Sequence, residues 1–176
     1  MSQAKSTVIQ GLVLEALRNH QMGQLVEAER IYLQVLTLDP NHPDALHLLG
    51  MIAFQAGRDE TAVELIRQAI AIKSNAASYH SNLGNVLQSQ GKLNEAGACY
   101  QRALVLKPDL AEVHLNLGNI YKTQGKLNSS LTCYRRAKAL DPKLAEAATA
   151  EAAVLLLKGD FAAGWKASER EVAGSW

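Results

Sequence analysis

Four asparagines have side chains that are suited to binding a ligand. They lie in two similar segments, SNLGNVLQSQGK and LNLGNIYKTQGK, as Asn82, Asn85, Asn116 and Asn119. Asparagine is unfavourable inside a helix because its amide competes for backbone hydrogen bonds, so its repeated use in helical segments requires a reason. An amide both donates and accepts a hydrogen bond, and it can therefore pair with a peptide unit of a bound extended chain.

The helical period places these amides in rows, with a further polar residue one turn on. We predict that Asn85 and Asn119 face a groove and that Asn82 and Asn116 lie at its edge. One step between the segments, roughly 10 Å, matches about three extended residues, so the amides could hold a peptide by its backbone. The alternative is that they bond between neighbouring repeats and bind nothing. The predicted peptide-binding residues are Asn82, Asn85, Gln88, Asn116, Asn119 and Lys122.

The paired histidines and cysteines are not expected to form a metal site or a disulfide. His80 and His114 occupy equivalent positions, but one helix-packing step of roughly 10 Å is too long for both to ligate one zinc ion. Cys99 and Cys133 are equivalent too, and the same step exceeds disulfide reach. All four are predicted to be packing or half-exposed residues, and no metal site is expected.

Motifs of known catalytic chemistry are also missing from the sequence. It contains no GxSxG, HExxH, GxGxxG or Walker pattern. The run from Gly84 to Gly91 and Lys92 has six intervening residues, and neither Ser nor Thr follows the lysine, so it does not match a phosphate loop. We therefore expect a protein that is not an enzyme and that uses no cofactor.

The elements that carry these residues repeat every 34 residues. Glycines recur at that interval throughout the chain, at Gly23, Gly57, Gly91, Gly125 and Gly159. Each row shows the i, i+3, i+4 apolar spacing of two helices. Gly91 stands where a left-handed residue ends the first helix, and Pro108 stands where the second helix stops. The sequence therefore predicts a series of helix pairs.

The pattern L-G-x6-G-K-L-x-E-A-x3-Y-x2-A-L-x-L-x-P, complete between Leu83 and Pro108, resembles the tetratricopeptide repeat family. The resemblance implies an all-α fold, a right-handed α-solenoid of about ten helices in antiparallel pairs, with first helices on the concave face. We expect a tail at 1–8, repeats at 9–42, 43–76, 77–110 and 111–144, a degenerate repeat at 145–172, and a tail at 173–176. Glu15 and Glu151 replace leucine in the two terminal rows, as expected of repeats that cover an end.

The NLGN runs, each preceded by a histidine, resemble the repeats of O-GlcNAc transferases and their bacterial relatives. That resemblance implies that Asn82 and Asn116 hold peptide backbone, because Leu14, Leu48 and Ala150 stand at the matching positions elsewhere. The segment KGDFAAGWKASER partly resembles a run found where bacterial repeat arrays enter catalytic domains, which suggests a bacterial source. The basic clamp of chaperone-binding repeats is not expected, since its positions carry residues such as Ser81 and Glu112.

Composition limits the kind of partner. Lysine and arginine number 18 against 17 acidic residues, a formal net charge of +1, which argues against nucleic acid and membrane-surface binding. The N-terminus lacks the apolar run of a cleavable signal, and no stretch of about 18 apolar residues occurs, so a cytoplasmic location is expected.

The sequence therefore predicts a non-enzymatic protein-interaction module that binds a peptide or protein segment in a concave groove. One alternative is a substrate-recruiting arm of a larger glycosyltransferase-like enzyme. Another is a self-assembling scaffold that associates through Phe161, Trp165 and Val172 on the last helix. Met51 and Phe54 form either an apolar pocket for a partner side chain or a surface covered by the first repeat.

Overall fold

We describe the protein from a computed structural model, which covers residues 3–164. Every regular element in this range is a helix, and the predicted all-α class with sequential antiparallel helix pairs is confirmed. A further helical turn occupies 161–164. The complete helices within the range are α1 (Gln3–Gln21), α2 (Leu25–Leu38), α3 (Pro43–Gln55), α4 (Asp59–Ile72), α5 (Ala77–Ser89), α6 (Leu93–Leu106), α7 (Ala111–Thr123), α8 (Leu127–Leu140) and α9 (Ala145–Leu157).

A glycine turn joins the two helices of each pair. The repeated glycines have φ between 72° and 80°, a backbone region that other residues adopt only with strain. At the first such turn, Gln24 N–H donates to the carbonyl of Asn19 at 2.9 Å, and at the third Lys92 N–H donates to that of Leu87 at 2.9 Å. These bonds satisfy carbonyl groups at the end of the first helix, so the same turn recurs with the same chemistry.

The chain divides into two compact units between Lys92 and Leu93. In the first unit, α1 packs on α2, α3 packs on α4, and each second helix contacts the next first helix. Close approach of α3 and α4 depends on Gly50, where an added Cβ would lie 2.8 Å from Ile66 Cγ1. One core cluster of this unit comprises Ile9, Ala16, Ala28, Ile31, Tyr32, Val35, Ala45, Leu49 and Ile52.

The second unit contains α6 to α9. Here α7 packs on α8, and α6 and α8 contact the first helix that follows each of them. Gly118 on α7 allows α8 to approach, since an added Cβ would lie 2.6 Å from Tyr134 Cε1. One core cluster of this unit comprises Leu115, Leu131, Tyr134, Ala137, Ala147, Val154 and Leu155.

The C-terminal apolar stripe predicted from the sequence is only partly within the described residues. Phe161 is 65% exposed. Trp165 and Val172 lie outside the described residues, as do the last positions of the KGDFAAGWKASER segment. Among the helices of residues 3–164, none combines the length and apolar character needed to cross a membrane.

Candidate functional site

Each first helix of the first unit, α1, α3 and α5, carries a row of three partly exposed residues that are three positions apart. Members of each row lie on one side of their helix because three residues nearly complete a turn. Leu14 is the most exposed of them, at 66%, and the others are half-buried. We call these rows the α1–α5 face; they are Leu14, Leu17 and His20 on α1, Leu48, Met51 and Phe54 on α3, and Asn82, Asn85 and Gln88 on α5.

Asn82 is hydrogen-bonded to a residue of the preceding repeat. Its Nδ2 lies 2.8 Å from Nε2 of His47, a buried residue of α3. An amide nitrogen only donates, so the imidazole accepts through Nε2 and is neutral in this bond. The bond between repeats that the sequence left as an alternative is therefore present at Asn82. Asn85 and Gln88 lie in the same row and are half-buried, and their role in binding stays a prediction.

His47 is the centre of a polar network that joins α3 to α5. Its ring stacks on Tyr79 with centroids 4.3 Å apart, and the Tyr79 hydroxyl donates to Asp44 Oδ1. Lys73 Nζ lies 3.5 Å from the same carboxylate oxygen. Burial opposes ionisation of Asp44, but the Tyr79 hydrogen bond and the Lys73 charge outweigh it and lower the Asp44 pKa.

Burial also disfavours the charged form of the His47 imidazole. For a base, unlike a carboxylic acid, this lowers the pKa. Burial lowers the pKa of His47 from 6.5 to about 4, and the nearby Asp44 charge only partly offsets the effect. At neutral pH His47 is therefore uncharged and able to accept from Asn82. The network holds α5 against α3 and fixes the orientation of the first amide of the α5 row.

The remaining predicted residues lie on α7, in the second unit. Asn119 Oδ1 accepts a hydrogen bond of 2.7 Å from the Tyr134 hydroxyl of α8, and Asn116 is hydrogen-bonded to Tyr100 of α6. Both asparagines and Lys122 are half-buried. The α7 amides therefore serve as partners for buried tyrosines, and both residues stay partly exposed.

The tyrosine of the first repeat has no such partner. Tyr32 is fully buried, and its hydroxyl makes no hydrogen bond. Around Tyr32, leucines replace both asparagines. Leu48 stands where Asn116 lies beside Tyr100, and Leu17 stands where Asn119 lies beside Tyr134. Burial raises the pKa of Tyr32 to about 12, so the group stays protonated at neutral pH.

The two histidines that the sequence excluded as ligands of one zinc ion are each hydrogen-bonded to the loop before their own helix. Nε2 of His80 lies 3.0 Å from the carbonyl oxygen of Ser74, and Nε2 of His114 lies 3.0 Å from that of Pro108. Within residues 3–164, no group of three or more His, Cys, Asp or Glu side chains is arranged to hold a metal ion.

Cys133 is buried, as predicted for a packing residue, and burial raises its pKa to about 11. Because the thiolate is the reactive form, this residue is a poor nucleophile at neutral pH. Cys99 is half-buried, and neither cysteine forms a disulfide.

Sequence reasoning missed a buried carboxylate in the second unit that pairs with two partly exposed cations. Glu151 on α9 is only 6% exposed and accepts from Arg135 Nε at 2.7 Å and from Lys138 Nζ, both on α8. Burial would raise the Glu151 pKa, but the two cationic partners lower it. The sequence does show a glutamate at a repeat position that is leucine in the middle repeats. Its two basic partners, however, lie 16 and 13 residues earlier in the chain, so the sequence alone did not point to them.

Models of the tetratricopeptide repeat match most of this helical array. One matches residues 20–85, a second 84–125 and a third 111–144. The chain belongs to the tetratricopeptide repeat (TPR) family. Its repeats are similar to those of other TPR proteins, some of which are much longer than this chain.

Two curated relatives match a stretch of this TPR array. It is 35% identical over 67 residues to human tetratricopeptide repeat protein 7B and 39% identical over 70 residues to the Caenorhabditis elegans UDP-N-acetylglucosamine–peptide N-acetylglucosaminyltransferase. These stretches are 38% and 40% of this chain but only 8% and 6% of the relatives. The chain therefore spans less than a tenth of either protein.

Solved TPR structures match over most of the chain or nearly all of it. MamA aligns with a TM-score of 0.83 at 22% identity, covering 90% of this chain and 92% of its own. YrrB, described as a TPR protein with an unusual peptide-binding site, aligns at 0.80 and 18% identity, covering 97% and 92%. The Thermobaculum terrenum O-GlcNAc transferase aligns at 0.74 and 28% identity, covering 79% of this chain and 27% of its own.

Proposed function

We propose that this TPR array is a non-enzymatic interaction module that binds an extended peptide or protein segment along its first helices. The observation that carries the proposal is that α5 in the first unit and α7 in the second each carry half-buried amides outside the hydrophobic cores. TPR arrays have a general role in protein–protein interaction, and a structural neighbour is described as having a peptide-binding site.

The internal hydrogen bonds of the amides are compatible with this role. A side-chain amide has two donors and an oxygen with two acceptor sites. Asn82 uses one donor on His47, and Asn119 uses one acceptor site on Tyr134. The remaining positions can pair with a peptide backbone, and the internal bond fixes the orientation of the amide before binding. Preorganised groups lose less entropy when the ligand arrives.

A selection of peptides tests the proposal and does not require the natural partner to be identified. The full chain is used to select from a random peptide library, and selected peptides are measured by fluorescence polarisation. Asn85→Ala, Gln88→Ala and Lys122→Ala are expected to weaken binding about fivefold or more each, as one lost hydrogen bond implies. Gln34→Ala, at an exposed position on α2, is the matched control.

Binding that survives all three first-helix variants would place the interaction elsewhere and would contradict this proposal. Circular dichroism of every variant shows whether the fold is retained. Asn82→Ala is kept out of this set because loss of its bond to His47 would also destabilise the contact of α3 with α5.

A second candidate function is the substrate-recruiting arm of a glycosyltransferase-like enzyme. Its support is the identity of 39% to the Caenorhabditis elegans transferase and of 28% to the Thermobaculum terrenum enzyme. The test is to read the natural gene beyond the codon for Trp176. A continuing frame that encodes a catalytic domain would support this function, and a stop codon would contradict it.

Self-association through the C-terminal helix remains a third proposal. Phe161 is 65% exposed and Leu157 is 67% exposed, which leaves apolar surface at the end of the described chain. Light scattering over a range of protein concentrations, with Phe161→Ser as the comparison, tests it. A monomer at all concentrations would contradict this proposal.

A further inference from the structure

The α1–α5 face changes character between its helices. Leu14 on α1 and Leu48 on α3 occupy the repeat position that Asn82 occupies on α5. In the same way, Leu17 and Met51 occupy the position of Asn85. Each position is therefore apolar in the first two repeats and an amide in the third.

Most of the apolar half of the face lies outside the hydrophobic core, although Leu48 packs against one core cluster. The fully buried side of α1 and α3 is supplied by other residues, among them Ala16, Ala45 and Ile52. Leu14 remains 66% exposed, and Leu17, Met51 and Phe54 are half-buried. Partly exposed apolar residues that continue directly into a row of amides mark an interaction surface more strongly than scattered ones do.

Charge is also missing from this face. None of its nine residues is an acid, a lysine or an arginine. The neighbouring carboxylate of Asp44 is already paired with Tyr79 and Lys73, and burial keeps His47 neutral at pH 7. A charged ligand would lose its hydration here without gaining an opposite charge, so the face fits an uncharged segment.

We infer that the α1–α5 face binds an uncharged, extended peptide segment with bulky apolar side chains over α1 and α3. At the α5 end the amides hold the peptide backbone, whatever its side chains are. The inference rests on the proposed function and specifies the chemistry of its partner. Three helices at steps of roughly 10 Å correspond to a segment of about six to nine extended residues.

Reciprocal substitutions within the chain test this division. Met51→Asn places in α3 the residue that α5 carries at the same position, and Asn85→Met does the reverse. The probe is an array of nine-residue peptides built from glycine and serine, in which leucine, phenylalanine, aspartate or lysine replaces one or two positions. The full-length wild type and both variants are applied to the array, and bound peptides are then measured by fluorescence polarisation.

We expect the wild type to prefer leucine- and phenylalanine-containing peptides over the glycine–serine parent by about tenfold, the effect of burying one apolar side chain. Met51→Asn should remove most of that preference. Asn85→Met should weaken binding of all peptides to a similar extent while retaining the preference. Thermal melts followed by circular dichroism show whether both variants are folded.

The outcomes separate this inference from the proposed function. Peptides that bind without apolar preference, or with a preference that Met51→Asn leaves unchanged, would overturn the inference and leave the interaction module intact. Preference for aspartate or lysine would overturn it as well. If no peptide bound the wild type on the array or in the library selection, the proposed function would fail, and this inference with it.

Discussion

Equivalent tyrosines differ in the hydrogen bonds of their hydroxyl groups. Tyr134 donates to Asn119 at 2.7 Å, whereas the buried hydroxyl of Tyr32 has no partner. Tyr134→Phe should therefore lower the free energy of unfolding by about 1 kcal/mol, while Tyr32→Phe should leave it unchanged or raise it. Urea denaturation of the two variants checks this. Equal losses in both would show that Tyr32 has a hydrogen-bond partner in solution.

His47 should make stability depend on pH in a defined window. Its pKa is about 4 in the folded chain against 6.5 in the unfolded one, so the unfolded chain binds a proton first as the pH falls. The free energy of unfolding should decrease from about pH 6.5 to about pH 4, by up to about 3 kcal/mol, and this contribution should not change further below that. Denaturation curves across this range provide the measurement.

The control for this pH dependence is His47→Phe, which keeps a ring beside Tyr79 but cannot titrate. Its absolute stability is expected to be lower, because Asn82 loses its acceptor. The informative quantity is the slope of stability against pH. A variant with the same slope as the wild type between pH 4 and 6.5 would show that other groups cause the pH dependence.

Two glycines of the second unit show how helix packing restricts side-chain size. An added Cβ at Gly118 would lie 2.6 Å from Tyr134 Cε1, whereas at Gly97 it would lie 3.7 Å from Ile120 Cγ2. Gly118→Ala should destabilise the fold by roughly 1–3 kcal/mol through overpacking. Gly97→Ala should stabilise it by about 0.5–1 kcal/mol, because alanine favours helix. Thermal and urea denaturation would contradict this if both changes had the same sign.

The contact of α8 with α9 includes the buried carboxylate of Glu151. Its partners Arg135 and Lys138 are 58% and 42% exposed in their side chains, so water can solvate them if the carboxylate is removed. Glu151→Leu, the residue of this position in the middle repeats, should leave stability unchanged or raise it. Glu151→Gln should lower the free energy of unfolding by about 1–3 kcal/mol, because a buried neutral amide interacts less strongly with Arg135 and Lys138 than the carboxylate does. Similar losses in both would show that the ion pair itself stabilises the fold.

The 34-residue period was sufficient to predict the helix pairs, because a left-handed turn selects glycine and close helix contact selects small residues at fixed positions. Hydrogen-bond partners were not predictable in the same way. Asn116 pairs with Tyr100, but the residue corresponding to Tyr100 one repeat earlier is Ile66, which has no hydroxyl. Asn82 bonds to His47 instead. A repeat position fixes where a side chain lies, and its particular neighbours decide what it binds.

The balance of charge in the whole chain leads to a prediction about salt. The net charge is +1, and no residue of the α1–α5 face is an acid, a lysine or an arginine. Affinity for an uncharged peptide should therefore change less than about twofold between about 50 and about 500 mM sodium chloride, because screening acts only on charges. Fluorescence polarisation with a leucine-containing peptide from the array measures this.

A peptide that carries two aspartates is the comparison for the salt series. Any weak binding that it shows, for example near Lys122, should fall as salt rises, since it depends on charge. If affinity for the uncharged peptide fell steeply with salt, charged residues outside the α1–α5 face would be contributing to binding. The surface that selects the partner would then be electrostatic, as in a basic clamp, rather than apolar and amide-lined.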